Sequence, residues 1–153
     1  MARHLEDNTR EYLILHTLAF DGDADIAEVR RWHQQRTPPF RDVGYHYLIR
    51  RNGRLEIGRQ ENEFGAHCIE MGMNRRSLGI AFEGHGDNAV WTDAQWATIR
   101  RLFSFMNLKY GIPPENVLGH RETGAPKTCP GTKIDMKQVR SALAGLLKRH
   151  AII

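Results

Sequence analysis

The sequence predicts an α/β fold: a single domain spanning residues 1–153, with a central mixed β-sheet flanked by about three helices. Three observations carry that expectation. Residues 11–20 and 77–83 are apolar runs rich in strand formers and read as buried strands. Residues 42–58 have the pattern of a β-hairpin around Asn52-Gly53. Three stretches with a helical stripe of apolar residues alternate with these strands, so helices and strands interleave along the chain.

In the first run a period of two puts Tyr12, Ile14, His16 and Leu18 on one face. A histidine in such a place is more often a hydrogen-bonded core residue than a ligand, so His16 stays open on its own evidence. Residues 21–25 make a turn that caps a helix from Ile26 to about Gln35, with Ile26, Val29 and Trp32 or His33 on one side. Pro38-Pro39 ends it, and His33 is assigned edge packing without chemistry.

Asn-Gly is the preferred pair for a two-residue type I′ turn, which is the turn expected at residues 52–53. In the arm before it Tyr45, Tyr47 and Ile49 alternate with His46, Leu48 and Arg50. Tyr45 and His46 therefore point to opposite faces, and at most one of them can address a given site. Residues 59–76 show no periodicity and contain Gly65, His67, Cys68, Gly72 and Asn74, the composition of a long binding loop.

After the strand at 77–83, His85 reads as a turn residue. Thr92 to Gln95 is a capping box, opening a helix with Trp96, Ile99, Phe103, Met106 and Tyr110 as its core stripe. Gly111 and Pro113 close that helix. Asp135 caps the last helix, which turns Met136, Val139, Leu143, Leu146 and Leu147 inward and carries Lys137, Arg140, Lys148 and Arg149 elsewhere. That pattern fits a helix docked on the sheet better than one seeking a membrane.

The totals narrow the class. With 153 residues, 41% hydrophobic and 26% charged, the composition is that of an ordinary globular domain. No apolar run reaches the roughly 20 residues that span a bilayer, and the N-terminus lacks the features of a signal peptide, so synthesis in the cytoplasm is expected. A net charge of +4 favours an anionic partner without choosing between nucleic acid, membrane and acidic wall polymer. Two cysteines, Cys68 and Cys129, allow one disulfide at most, and a reducing cytosol disfavours it.

Chemistry concentrates in residues 117–131. A short apolar run delivers His120 into a loop with Lys127 and Cys129, and Pro130-Gly131 stops that loop. Imidazole and thiolate are both zinc ligands, but eight residues between them is not the spacing of a zinc finger. A metal here would need another ligand from a distant part of the chain, and such an open site would be catalytic. The sequence has no Walker-type loop, no His-Glu-x-x-His and no Gly-x-Ser-x-Gly.

Several separated motifs, in order, resemble the zinc-dependent N-acetylmuramoyl-L-alanine amidases of the amidase-2 type, which share their fold with peptidoglycan-recognition proteins. They are Leu-Ile-Leu-His16, Asp-Val-Gly-Tyr45-His-Tyr-Leu-Ile, the Arg-Asn-Gly hairpin, Gly-Ala-His67, Asn74-Arg-Arg-Ser-Leu-Gly-Ile, and Gly-His120 followed by Pro-Lys127-Thr-Cys129-Pro-Gly. The likeness is strongest to the short, single-domain amidase lysozymes of phages. It implies a zinc site in a groove on the sheet, one Zn2+ per chain, with His16, His120 and Cys129 as ligands. It further implies Tyr45 and Lys127 as catalytic residues, and His67 and Asn74 as substrate-binding ones. Many relatives carry a glutamate where this chain has Ala81, so that acid–base position is empty here, and Glu83 is not put in its place.

The resemblance implies cleavage of the amide between the lactyl group of N-acetylmuramic acid and L-alanine, by a phage endolysin released to the wall through a holin. Peptidoglycan is then the partner; nucleic acid is not, and a monomer is expected. A cytosolic muropeptide-recycling amidase and a non-catalytic peptidoglycan-binding module are the alternatives. Binding to an RNA polymerase rests on analogy within the family alone.

Overall fold

A computed structural model describes residues 9–151. Its centre is a five-stranded mixed sheet in the order β3-β2-β4-β1-β5. The strands are β1 (Tyr12–Thr17), β2 (Tyr47–Ile49), β3 (Leu55–Ile57), β4 (Ser77–Phe82) and β5 (Val117–Gly119). β1 runs parallel to both β4 and β5, β2 runs parallel to β4, and β3 pairs antiparallel with β2. Helices α1 (Ile26–Gln35), α2 (Met73–Arg76), α3 (Asp93–Tyr110) and α4 (Met136–Ala151) complete the fold.

The two faces of the sheet are divided by the alternation of side chains along each strand. Leu13 and Leu15 of β1, Leu78, Ile80 and Phe82 of β4, and Val117 of β5 bury themselves against Ile99, Leu102, Phe103 and Met106 of α3 and Val139 and Leu143 of α4. The residues between them turn to the other face. There Ala81 and Leu48 pack on Val29 of α1, while Ile14 packs on Cys68 and Met73. His16 belongs to this second face, which no long helix among the described residues covers completely.

Helix boundaries follow their caps. Asp25 Oδ1 accepts the Glu28 N–H at the start of α1. Thr92 and Gln95 exchange the reciprocal bonds of the predicted capping box at the start of α3, and Gly111 ends that helix with φ +70°. Asp135 Oδ1 accepts the amides of Lys137 and Gln138 at the start of α4.

Three local expectations change. The hairpin is not closed by a type I′ turn: the Gly53 amide donates to Arg50 O and only Gly53 has positive φ, at +87°. That is a turn over Arg51-Asn52 followed by a glycine bulge, a three-residue connection that the Asn-Gly pair serves equally well. The stretch at 59–76 is not all loop, since it contains a 3-10 turn (Glu70–Gly72) and α2. The strand read from residue 11 is trimmed to six residues.

Arg10, 1% exposed, secures the long segment to the sheet. Its guanidinium donates to the carbonyls of Arg75 (2.7 Å), Ser77 (3.0 Å) and Glu61 (2.6 and 2.9 Å), and to Glu63 O. Burial lowers its pKa to about 10, so it keeps its charge at neutral pH. Among the described residues, no helix is long and apolar enough to cross a membrane.

Candidate active site

Parallel pairing brings the first donors together. Leu15 of β1 lies opposite Gly119 of β5, so the next residues along, His16 and His120, leave neighbouring strands side by side at their carboxyl ends. That is the end of an α/β sheet where ligands characteristically bind. Cys129 returns from the following loop, and its Sγ lies 3.6 Å from His16 Nδ1. The donor atoms of His16, His120 and Cys129 all fall within 4.8 Å of one another. They stand in a groove of about 840 Å³, which Tyr45, His67, Asn74 and Lys127 also line.

Each histidine is held by the ring nitrogen that faces away from this cluster. His16 Nε2 is 2.8 Å from His67 Nδ1, and His67 Nε2 is 3.3 Å from Ser77 Oγ, which donates to Met73 O. His120 Nε2 is 3.0 Å from Glu70 Oε1. With Nδ1 of each as the ligating atom, the tautomers follow. His16 Nε2–H donates to His67, and His120 Nε2–H donates to the Glu70 carboxylate, the outer-shell arrangement typical of metal-binding histidines. Burial, reinforced by the neighbouring His120 and Lys127, holds His16 well below the usual histidine pKa, so it stays a neutral donor.

Burial pushes the Cys129 thiol up to about 11, although the Thr17 amide, donating at 3.4 Å, and Lys127 pull the other way. A bound cation would overcome that penalty, because a coordinated thiol is deprotonated outright. Two imidazoles and a thiol, with an open groove on their fourth side, fit a metal ion.

Tyr45 is half-buried, its ring 5.1 Å from that of His16 and 5.3 Å from that of His33. Its hydroxyl makes no hydrogen bond among the described residues, and burial, with the nearby Cys129, raises its pKa further above the usual tyrosine range. It is therefore a neutral O–H facing the groove. Lys127 is exposed and has no carboxylate partner among the described residues.

His67 and Asn74, expected to bind substrate, both line the groove and also make internal hydrogen bonds. The His67 ring is 9% exposed and occupies the space a side chain at residue 79 would fill: a Cβ on Gly79 would sit 2.5 Å from His67 Cγ. Both ring nitrogens are engaged, as above. Asn74 Oδ1 accepts the amides of His67 (2.8 Å) and Cys68 (2.9 Å), pinning the segment that carries them.

Several groove residues went unassigned in the sequence. Glu70, the partner of His120, lies in a segment without periodicity. His33, read as edge packing, accepts the Gly44 amide at 2.8 Å and flanks Tyr45. His85, read as a turn residue, lines the groove, and Asp87 beside it accepts from Thr128 Oγ1 (3.0 Å) and the Thr132 amide (2.8 Å), clamping the loop of Lys127 and Cys129. Glu83 is excluded from chemistry by its partners: it accepts the amides of Ala24 and Arg51 and pairs with Arg50 at 3.0 Å.

A three-donor cluster that could hold a metal ion, set at the carboxyl ends of a parallel strand pair with Tyr45 and Lys127 beside it, fits a hydrolase built on an α/β sheet. The chain belongs to the N-acetylmuramoyl-L-alanine amidase family (Amidase_2), which matches residues 6–132. It is 35% identical over 118 residues to the endolysin of Escherichia phage T7, covering 74% of this chain and 72% of that protein. It is 34% identical over 121 residues to the endolysin of Klebsiella phage KP32, covering 76% and 74% respectively. The N-acetylmuramoyl-L-alanine amidase LysC of Clostridium intestinale URNW superposes with a TM-score of 0.79 at 27% identity, covering 93% of this chain and 91% of that one.

Proposed function

We propose that the chain is a zinc-dependent endolysin that hydrolyses the amide between the lactyl group of N-acetylmuramic acid and L-alanine. The observation that carries this is the convergence of His16, His120 and Cys129 to within 4.8 Å at the floor of an open groove. Their nitrogen and sulfur donors suit zinc, and one ion per chain would be held by these three side chains. Zinc, when bound, would polarise the scissile carbonyl and lower the pKa of a water molecule towards neutrality.

The protein's own groups do the rest. Lys127 Nζ stabilises the oxyanion that develops as the carbonyl becomes tetrahedral, a role worth about 10²–10³ in rate. The Tyr45 hydroxyl orients the attacking water and passes a proton towards the leaving amine. His67 and Glu70 fix the rings of His16 and His120, which keeps the donors in place without rearrangement during turnover. Asn74 acts through the His67–Cys68 backbone that it holds.

Glycoside hydrolysis lacks its machinery here, since it needs two available carboxylates flanking the sugar bond. Among the described groove and strand carboxylates, Glu83 is committed to Arg50, Glu122 to Arg140, Glu70 to His120, and Asp87 to Thr128 Oγ1 and the Thr132 amide. Digestion of purified sacculi should therefore release stem peptides with free L-alanine amino groups and create no new reducing ends. New reducing ends without alanine amines would overturn the assignment. Faster hydrolysis of soluble muropeptides than of sacculi would overturn the lytic role while leaving the bond specificity intact. As an endolysin the protein would reach the wall after release by a membrane-permeabilising partner, and it would act as a monomer.

A further inference from the structure

The Nε2 edge of His120 belongs to a second donor cluster that the proposed mechanism does not use. Cys68 Sγ, a Glu70 carboxylate oxygen and a His120 ring nitrogen all lie within 4.8 Å of one another. Cys68 Sγ is 3.5 Å from Glu70 Oε1, and that oxygen is 3.0 Å from His120 Nε2. Thr123 Oγ1 stands 3.5 Å from the same sulfur. Donors around a tetrahedral zinc, bound at about 2.0–2.3 Å, are separated by about 3.3–3.8 Å, so small adjustments would seat an ion here. Cys68 is 2% exposed, whereas the Glu70 side chain is 27% exposed and lines the groove, which gives an ion a way in.

We propose that Cys68, Glu70 and Nε2 of His120 form a second, inhibitory site for a thiophilic divalent cation such as zinc or cadmium. The inference rests on the reading above, in which His120 binds the first ion through Nδ1. Binding is a proton-for-metal exchange without redox change. The Cys68 thiol proton and the His120 Nε2 proton leave to solvent, and Glu70 enters as the carboxylate it already is. The ion replaces the hydrogen bond by which Glu70 orients His120. It also places a second cation across the same ring, now an imidazolate, where the two positive charges repel. Activity should rise as the first site fills and fall as the second does.

The test is a titration of the metal-free protein with cadmium, counted by equilibrium dialysis and by thiolate-to-metal charge-transfer absorption. Two equivalents are expected, each adding one thiolate step, with the second weaker. In parallel, hydrolysis measured against added zinc should peak near one equivalent and drop at least tenfold by saturation of the second site. Cys68→Ser and Cys68→Ala should each keep the first step and the peak activity while losing the second step and the inhibition. Cys129→Ser should lose the first step and retain the second. A wild-type titration that ends at one equivalent overturns the second site and leaves the first intact, an outcome that needs no variant to fold. A second step that survives both Cys68 substitutions would put the ion elsewhere and overturn the proposal equally. Loss of neither step in Cys129→Ser would instead overturn the reading of the first site.

Discussion

Tyr45 and Lys127 can be tested apart from the fold because neither is used to hold it. Tyr45→Phe keeps the ring contacts with His16 and His33 and removes only a hydroxyl that has no protein partner among the described residues. Lys127→Ala removes an exposed side chain without an ion pair there, a change usually within about 0.5 kcal/mol of neutral. Each variant should lose about 10²-fold or more in kcat while binding one zinc and melting near the wild-type temperature. Metal content, melting temperature and single-turnover rates check this, and a wild-type rate in Lys127→Ala would remove the lysine from the mechanism. His46 is the contrasting residue. Fully buried, it accepts the Gly79 amide through Nδ1 (3.0 Å) and donates through Nε2 to Glu63 O (2.8 Å). It serves the backbone rather than the groove, as its place on the strand opposite Tyr45 implies.

At the scale of elements, β4 and α4 each carry a prediction. β4 presents Gly79 beneath the His67 ring, and no larger residue fits there. Gly79→Ala should expel the ring, break its bond to His16, and cost about 1–3 kcal/mol as overpacking. Zinc affinity should weaken by about 10–100-fold with the ligands themselves intact. A chelator-competition titration giving wild-type affinity would show that His67 does not orient His16. In α4 the basic positions are not equivalent, although the sequence presents them as one face. Arg140 forms a two-pronged ion pair with Glu122, at 2.7 and 2.9 Å, and donates to Val117 O, while Glu122 accepts the Gly119 amide just before His120. Arg140→Glu should therefore destabilise the fold at any salt concentration. Reversing Lys137 and Lys148 should instead reduce lysis of intact cells at low salt more than at high salt. Equal salt profiles in the two cases would deny Arg140 its structural role.

At the scale of the whole molecule, stability should fall in mild acid. Burial, offset in part by the Glu63 carbonyl, depresses His46 to about 4, and burial with Arg36 and Arg59 depresses His33 to about 4. Both pKa values lie below the roughly 6.5 of an unfolded histidine. The unfolded chain therefore binds these protons first as the pH drops, and stability present above about 6.5 is progressively lost down to about 4. For His46 alone the loss approaches about 3 kcal/mol over that window. Denaturant midpoints between pH 7 and 4 read the slope. His33→Gln keeps an acceptor for the Gly44 amide and should make the slope shallower by about one proton. An unchanged slope would mean that His33 does not titrate with folding.

Much of the fold was legible because it follows from local rules. The strands at 12–17 and 77–82, α1, the capping box of α3 and the docked face of α4 all arise from period and caps, which are properties of neighbouring residues. The residues around His16, Tyr45 and His120–Cys129 were picked out for another reason: they match, in order, the motifs of the amidase family, and the roles proposed for them rest on that match. What lay beyond the sequence is what contact between distant segments creates. Parallel pairing of Leu15 with Gly119 puts His16 beside His120, across about a hundred residues of chain. Glu70 gains a role only because its segment folds back under His120, and Cys68 only because Glu70 does. Arg10 gives no sign of its burial until four carbonyls from two stretches converge on it. Periodicity records which face of an element is buried but not which element covers it, so donor types could be read from the chain while their geometry and outer partners were decided by tertiary packing.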